Sequence, residues 1–99
     1  MLIEKIGKPA MLEQTAEECV ELAHACLKLA RYYRAENKVY GKTEEELLNN
    51  LTEEIADVKI CISEILDGFE MLDQYDDWFK KKWYRLFKRL EELDNGDSD

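Results

Sequence analysis

An all-α fold follows from three features of this 99-residue chain. Apolar residues recur at steps of three and four over long segments, the spacing that lines one face of a helix. No segment alternates apolar and polar residues as a half-buried strand would. The turn-formers Gly7, Pro9, Gly41, Gly68 and Gly96 are few and fall between the periodic segments. A chain of this length suffices for one domain with one modest core. Residues 1–93 are read as that domain, and Asp94–Asp99 (DNGDSD) as a disordered acidic tail.

The elements follow in order. Met1–Ile6 is a short helix stopped by Gly7. Pro9 suits the first turn of a long helix, where its missing N–H costs nothing. From Ala10 to about Asn37, Leu12, Ala16, Cys19, Val20, Ala23, Cys26, Leu27, Ala30 and Tyr33 form the main stripe of that helix. Leu22, Ala25 and Leu29 lie outside it, so the apolar face is wide and calls for a second partner. After a loop at Lys38–Lys42, Thr43 and Glu46 spell a capping box. Leu47, Leu51, Ile55, Val58, Ile62 and Ile65 then make a second long stripe that ends at Gly68. A last helix starts near Asp73 and runs to about Leu93, with Phe79, Trp83, Leu86, Leu90 and Leu93 inward and Asn95-Gly96 ending it. The expected architecture is a helical bundle: two long antiparallel helices, a C-terminal helix and a short N-terminal one. Oligomerisation would complete it, as a homodimer or homotetramer.

Charge narrows the function classes. Asp and Glu outnumber Lys and Arg by 23 to 14, a net −9. General nucleic-acid binding is disfavoured, because it depends chiefly on neutralisation of phosphates by a basic surface. No apolar run approaches the ~20 residues that span a bilayer, so no membrane partner is expected. The N-terminus lacks a signal-peptide layout and no Cys-x-x-Cys occurs, which together point to the cytoplasm. Cys19 and Cys26 fall about 10 Å apart on one helix, beyond disulfide reach. With Cys61 they read as small hydrophobes.

Two acidic pairs sit where a solvated face would not place them. Glu18 and Glu21, in EECVE, share one helix face about 60° apart. Gln14 and Lys28 continue that strip. Glu54 and Asp57, in EEIAD, repeat the spacing on the next helix, with Asn50 and Cys61 above and below. Each pair lies beside an apolar stripe. If the two helices pack antiparallel, the four carboxylates face one another and repel. A divalent cation with oxygen ligands relieves that, and Mg²⁺ commonly shares its shell with phosphates.

The pattern E-E-x-x-E followed by E-x-x-D resembles the MazG-like nucleoside triphosphate pyrophosphohydrolases, the all-α NTP-pyrophosphatase superfamily. The resemblance runs loosely from Met11 to Leu93 and is sharpest over Gln14–Lys28 and Asn50–Glu64. It departs in one respect: 32 residues separate Glu21 from Glu54, more than is usual in the family, through an extended first helix and the loop around Gly41. The resemblance implies a hydrolase that converts an NTP or dNTP and water to the monophosphate and pyrophosphate. It implies Glu18, Glu21, Glu54 and Asp57 as ligands of Mg²⁺, or of Mn²⁺. Glu17 and Glu53, each adjacent to a ligand, are the candidates for a base in the next shell.

Among the cations, Lys28 lies two turns beyond Glu21 on the carboxylate strip and could reach a phosphate. Lys82 and Arg85, within FKKKWYRLFKR, resemble a Lys/Arg pattern of the family's C-terminal helix and are further candidates for substrate contact. Trp78 and Trp83 read as core or subunit contacts. Two rival readings remain. Glu21-Leu22-Ala23-His24 spells E-x-x-H, an element that di-iron carboxylate bundles use twice with further glutamates, here Glu54. A non-catalytic helical assembly or regulatory module is the other.

Overall fold

A computed structural model describes residues 1–35 and 41–96. Four α-helices follow one another: α1 Leu2–Ile6, α2 Lys8–Arg34, α3 Glu44–Gly68 and α4 Leu72–Gly96. No strand occurs among the described residues. The predicted loop residues Lys38–Tyr40, the expected helix end at Asn37 and tail residues 97–99 lie outside the described residues.

Local chemistry sets the helix limits. Gly7 takes φ 91°, a left-handed value that favours glycine, and separates α1 from α2. Pro9 lies in the first turn of α2. At the other end of α2, Ala35 adopts φ 54° and its N–H donates to the carbonyls of Arg31 and Tyr32. Thr43 caps α3: the N–H of Glu46 donates to its Oγ1 at 3.2 Å. The elbow to α4 turns on Glu70, a non-glycine residue at φ 55°, held by the Met71 N–H donating to the Leu66 carbonyl at 2.9 Å.

The centre of the fold is a hairpin of α2 and α3. Tyr33 neighbours Glu44 at one end, Glu18 meets Glu54 and Asp57 in the middle, and Thr15 lies by Cys61 at the other. That order reverses along the two helices, so they run in opposite directions. The buried seam consists of Met11, Ala25 and Leu29 from α2 and Leu47, Val58 and Cys61 from α3.

This seam corrects the sequence reading of α2. The side facing α3 is the one carrying Leu22, Ala25 and Leu29, whereas the denser stripe through Leu12, Cys19, Val20, Cys26, Leu27 and Tyr33 is exposed. Ile55 and Ile62 of the α3 stripe are exposed as well. On α4 no residue is buried, and the face expected inward, Phe79, Trp83, Leu86, Leu90 and Leu93, is open. A helix touches its partner along a narrow arc, so the surplus apolar width is left outside.

α1 closes one end of the hairpin. Ile3 packs with Met11 and Cys61, and Ile65 and Phe69 flank this cluster. The N–H groups of Leu2 and Ile3, orphan donors of a helix start, donate to Glu64 Oε1 at 2.9 Å and Oε2 at 3.4 Å. Gly68 makes room: a Cβ there would stand 2.5 Å from Ile3 Cδ1.

Candidate metal centre

Glu18 of α2 and Glu54 and Asp57 of α3 converge at the middle of the hairpin. One carboxylate oxygen from each lies within 4.8 Å of those of the other two. All three residues are half-buried. The helices present them for simple reasons. Glu18 lies seven residues from both Met11 and Ala25, two buried anchors of α2, and so falls on nearly the same line. Glu54 and Asp57 lie four and one residues before the buried Val58, at the edge of the α3 seam.

Glu18 is held in place. Gln14, one turn before Glu18, donates from Nε2 to Glu18 Oε1 at 2.9 Å. Partial burial pushes the carboxyl of Glu54 above the ordinary glutamate range, and the negative charges of Asp57, Glu21, Glu18 and Glu53 push it further. Burial likewise raises the Cys61 thiol, against an opposing hydrogen bond to Thr15, so Cys61 stays a neutral thiol beside the cluster. Next to the acids opens a cavity of about 300 Å³, lined by Leu2, Ile6, Gln14, Glu18, Asp57, Ile60 and Cys61.

The remaining sequence-derived candidates fall outside this triplet. Glu21 is exposed, one step further around α2 than Glu18, yet close enough for its charge to act on Glu54. Glu53 also acts on Glu54 but points outward, exposed like Glu17. Lys28 is exposed on α2. Lys82 and Arg85 are exposed on α4, which makes no contact with α2 among the described residues. His24 is exposed and outside the three-carboxylate group, so within one chain the E-x-x-H element does not join it.

Sequence reasoning missed the contribution of α1. Leu2 and Ile6 wall the cavity, and Glu64 fastens the N-terminus of α1. Glu64 lies seven residues after Asp57, so extending the acidic strip by two turns would have flagged it.

The donor set fits a hard divalent cation. Three carboxylates offer oxygen only, the ligand type of Mg²⁺ and Mn²⁺. The chain matches no protein-family model, no curated protein and no solved structure. None of the described helices is long and apolar enough to cross a membrane.

Proposed function

We propose that this chain is a Mg²⁺-dependent nucleoside triphosphate pyrophosphohydrolase, acting in the cytoplasm as a homodimer or homotetramer. The observation that carries the reading is the meeting of Glu18 with Glu54 and Asp57, two acidic motifs far apart in sequence, beside an open cavity. Together with the resemblance of those motifs to MazG-like enzymes, it favours polyphosphate chemistry over a passive assembly.

In this reading Glu18, Glu54 and Asp57 hold the cation, with Mn²⁺ as a substitute, and Glu21 completes the set from the rim. When bound, Mg²⁺ supplies charge neutralisation for the polyphosphate and acidifies a coordinated water. The residues do the rest. Gln14 fixes the rotamer of Glu18. Asp57, shared between the acidic group and the cavity wall, sets where the triphosphate meets the acids. Leu2, Ile6 and Ile60 make one side of the cavity apolar. Glu53 and Glu17, outside the ligand set, are the candidates to take the proton from the attacking water. Lys28 continues the α2 strip and can meet a phosphate, whereas Lys82 and Arg85 would have to be supplied by a neighbouring copy.

The test is pyrophosphate release from a panel of ribo- and deoxyribonucleoside triphosphates, with Mg²⁺ and with chelator. Metal-dependent release lost in Asp57→Ala is the expected result. Silence across the whole panel would refute the proposal.

A further inference from the structure

Leu2 and Ile6 lie four apart and so share one face of α1. Both are exposed, and packing within the chain does not account for them, since the side chain that seats α1 against the hairpin is Ile3. What Leu2 and Ile6 do line is the cavity beside the acids, together with Ile60 and Cys61. The position of this wall is set from α3. Glu64 accepts from the N–H groups of Leu2 and Ile3, at 2.9 and 3.4 Å. It lies seven residues after Asp57, two turns along the same strip and about 10 Å further along the axis. One helix thus carries both an acid of the central group and the clamp for α1. A five-residue helix has no stability of its own, so Ile3 and Glu64 between them decide where Leu2 and Ile6 stand.

The lining says which part of a substrate belongs in the cavity. Glu18 and Asp57 form one edge of it, and among the described residues no lysine or arginine lines it. A phosphate inside would meet carboxylates and no positive side chain. An uncharged group with an apolar face suits the remaining walls. At about 300 Å³ the space lies at the small end of ligand sites, enough for a base and sugar rather than a whole nucleoside triphosphate.

On the footing that the acids seat a Mg²⁺-bound triphosphate, we propose that this cavity takes the nucleoside end of the substrate. Leu2 and Ile6 are its apolar wall, and Glu64 is the positioning residue that holds the wall at a set distance from the acids. The nucleoside is not the group that reacts, so its contacts are alike before and during the reaction. Loss of the wall therefore raises KM and leaves kcat.

Two readouts on the full chain with Mg²⁺ test this. The first is limited trypsin digestion, followed by mass spectrometry at the Lys5–Ile6 bond, which is cut only when α1 opens. The probe is the α,β-methylene analogue of the nucleotide hydrolysed fastest, at ten times its dissociation constant. It should slow that cut about fivefold, the ratio expected if opening the wall weakens binding about tenfold. Inorganic triphosphate, which has no nucleoside, should leave the cut unchanged. The second readout is steady-state kinetics. Glu64→Ala, and Ile6→Ala with the clamp intact, should each raise KM for the nucleotide about tenfold and keep kcat within about twofold. The inhibition constant of inorganic triphosphate, which reports the acids alone, should stay within about twofold in both. Glu64→Gln keeps an acceptor for the Leu2 N–H and should recover most of the loss. Ile6→Ala spares both the clamp and the core, so it is decisive even if Glu64→Ala fails to fold. An active wild type whose Ile6→Ala variant keeps its KM would overturn the wall and leave the proposed activity standing. Equal protection of the Lys5–Ile6 bond by inorganic triphosphate and by the analogue would do the same. Silence of the wild type across the nucleotide panel would overturn the activity and the wall together.

Discussion

Gly68→Ala tests how α1 is held. The added Cβ would stand 2.5 and 2.8 Å from Ile3 Cδ1 and Cγ2, where ordinary contact begins at 3.4 Å. Ile3 must therefore withdraw by about 1 Å from its seat against Met11 and Cys61. Overpacking of this kind costs about 1–3 kcal/mol. The burial of Ile3 contributes a similar amount, about 1.5–3 kcal/mol, so the two nearly cancel. A helix of five residues has no stability of its own. Local release of α1 is then the expected response, with the α2–α3 hairpin intact. Urea midpoints at fixed chain concentration should show a loss of about 1–3 kcal/mol, and trypsin should cut after Lys5 much faster. The decisive measurement is the double-mutant cycle with Ile3→Ala, which removes all three contacting atoms. In that background the Gly68→Ala penalty should fall below about 0.5 kcal/mol. An equal loss in both backgrounds would refute the steric account. Released α1 also opens the wall formed by Leu2 and Ile6, so the cavity beside the acids should lose its apolar side.

Other outcomes are expected at the acids and at the turns. Glu54 binds its proton more tightly in the folded chain than in the unfolded one, where a pKa of about 4.3 applies. Its contribution to stability is therefore full below about pH 4.3 and is lost as pH rises through the raised folded value. In chelator, Glu54→Gln should gain on wild type across that window in urea unfolding, and a difference independent of pH would contradict this. Mg²⁺ at ten times its dissociation constant should stabilise the chain by about 1.4 kcal/mol, roughly 6–11 °C in Tm. Equal stabilisation of Asp57→Asn, read by calorimetry, would place the cation elsewhere. Glu70→Gly should stabilise by about 1 kcal/mol in thermal unfolding, because glycine adopts φ 55° without the Cβ penalty.

The helices were legible because their stops are chemical. Gly7 and the Thr43 cap each act within one turn of their own position, so local sequence contains the signal, whereas α3 ends at Gly68 because the next elbow turns on Glu70. Which arc of a helix faces its neighbour is not local information. On α2 the densest apolar arc is the exposed one, while the seam runs through Met11, Ala25 and Leu29 with Gln14, Thr15 and Glu18 half-buried between them. Counting apolar residues could not choose between two arcs when both are apolar and only one meets α3. The same reason explains α4, whose strong amphipathic pattern marks a face but not what lies against it. The meeting of Glu18 with Glu54 and Asp57 follows from antiparallel pairing of two regular spacings. That Glu21 would sit at the rim depends on about 60° of rotation, finer than motif spacing resolves. The role of α1 was illegible because Ile3 and Gly68 meet across 65 positions, and a five-residue helix carries too little periodicity to announce a face.

The spacing of the buried anchors bears on how firmly the acids are held. Between Met11 and Ala25 the residues of α2 that face α3, Gln14, Thr15, Glu18 and Leu22, are only half-buried, so Glu18 sits midway along roughly 20 Å of helix that has its fully buried anchors at the ends. Glu54 and Asp57 adjoin Val58 and Cys61, which clamp α3 directly beneath them. One jaw of the acidic group is thus more firmly packed than the other. Bending α2 by a few tenths of an ångström would change the gap between jaws without unseating either anchor. If the acids hold a cation, as proposed, the gap can follow cations of somewhat different radius at little cost to the rest of the fold.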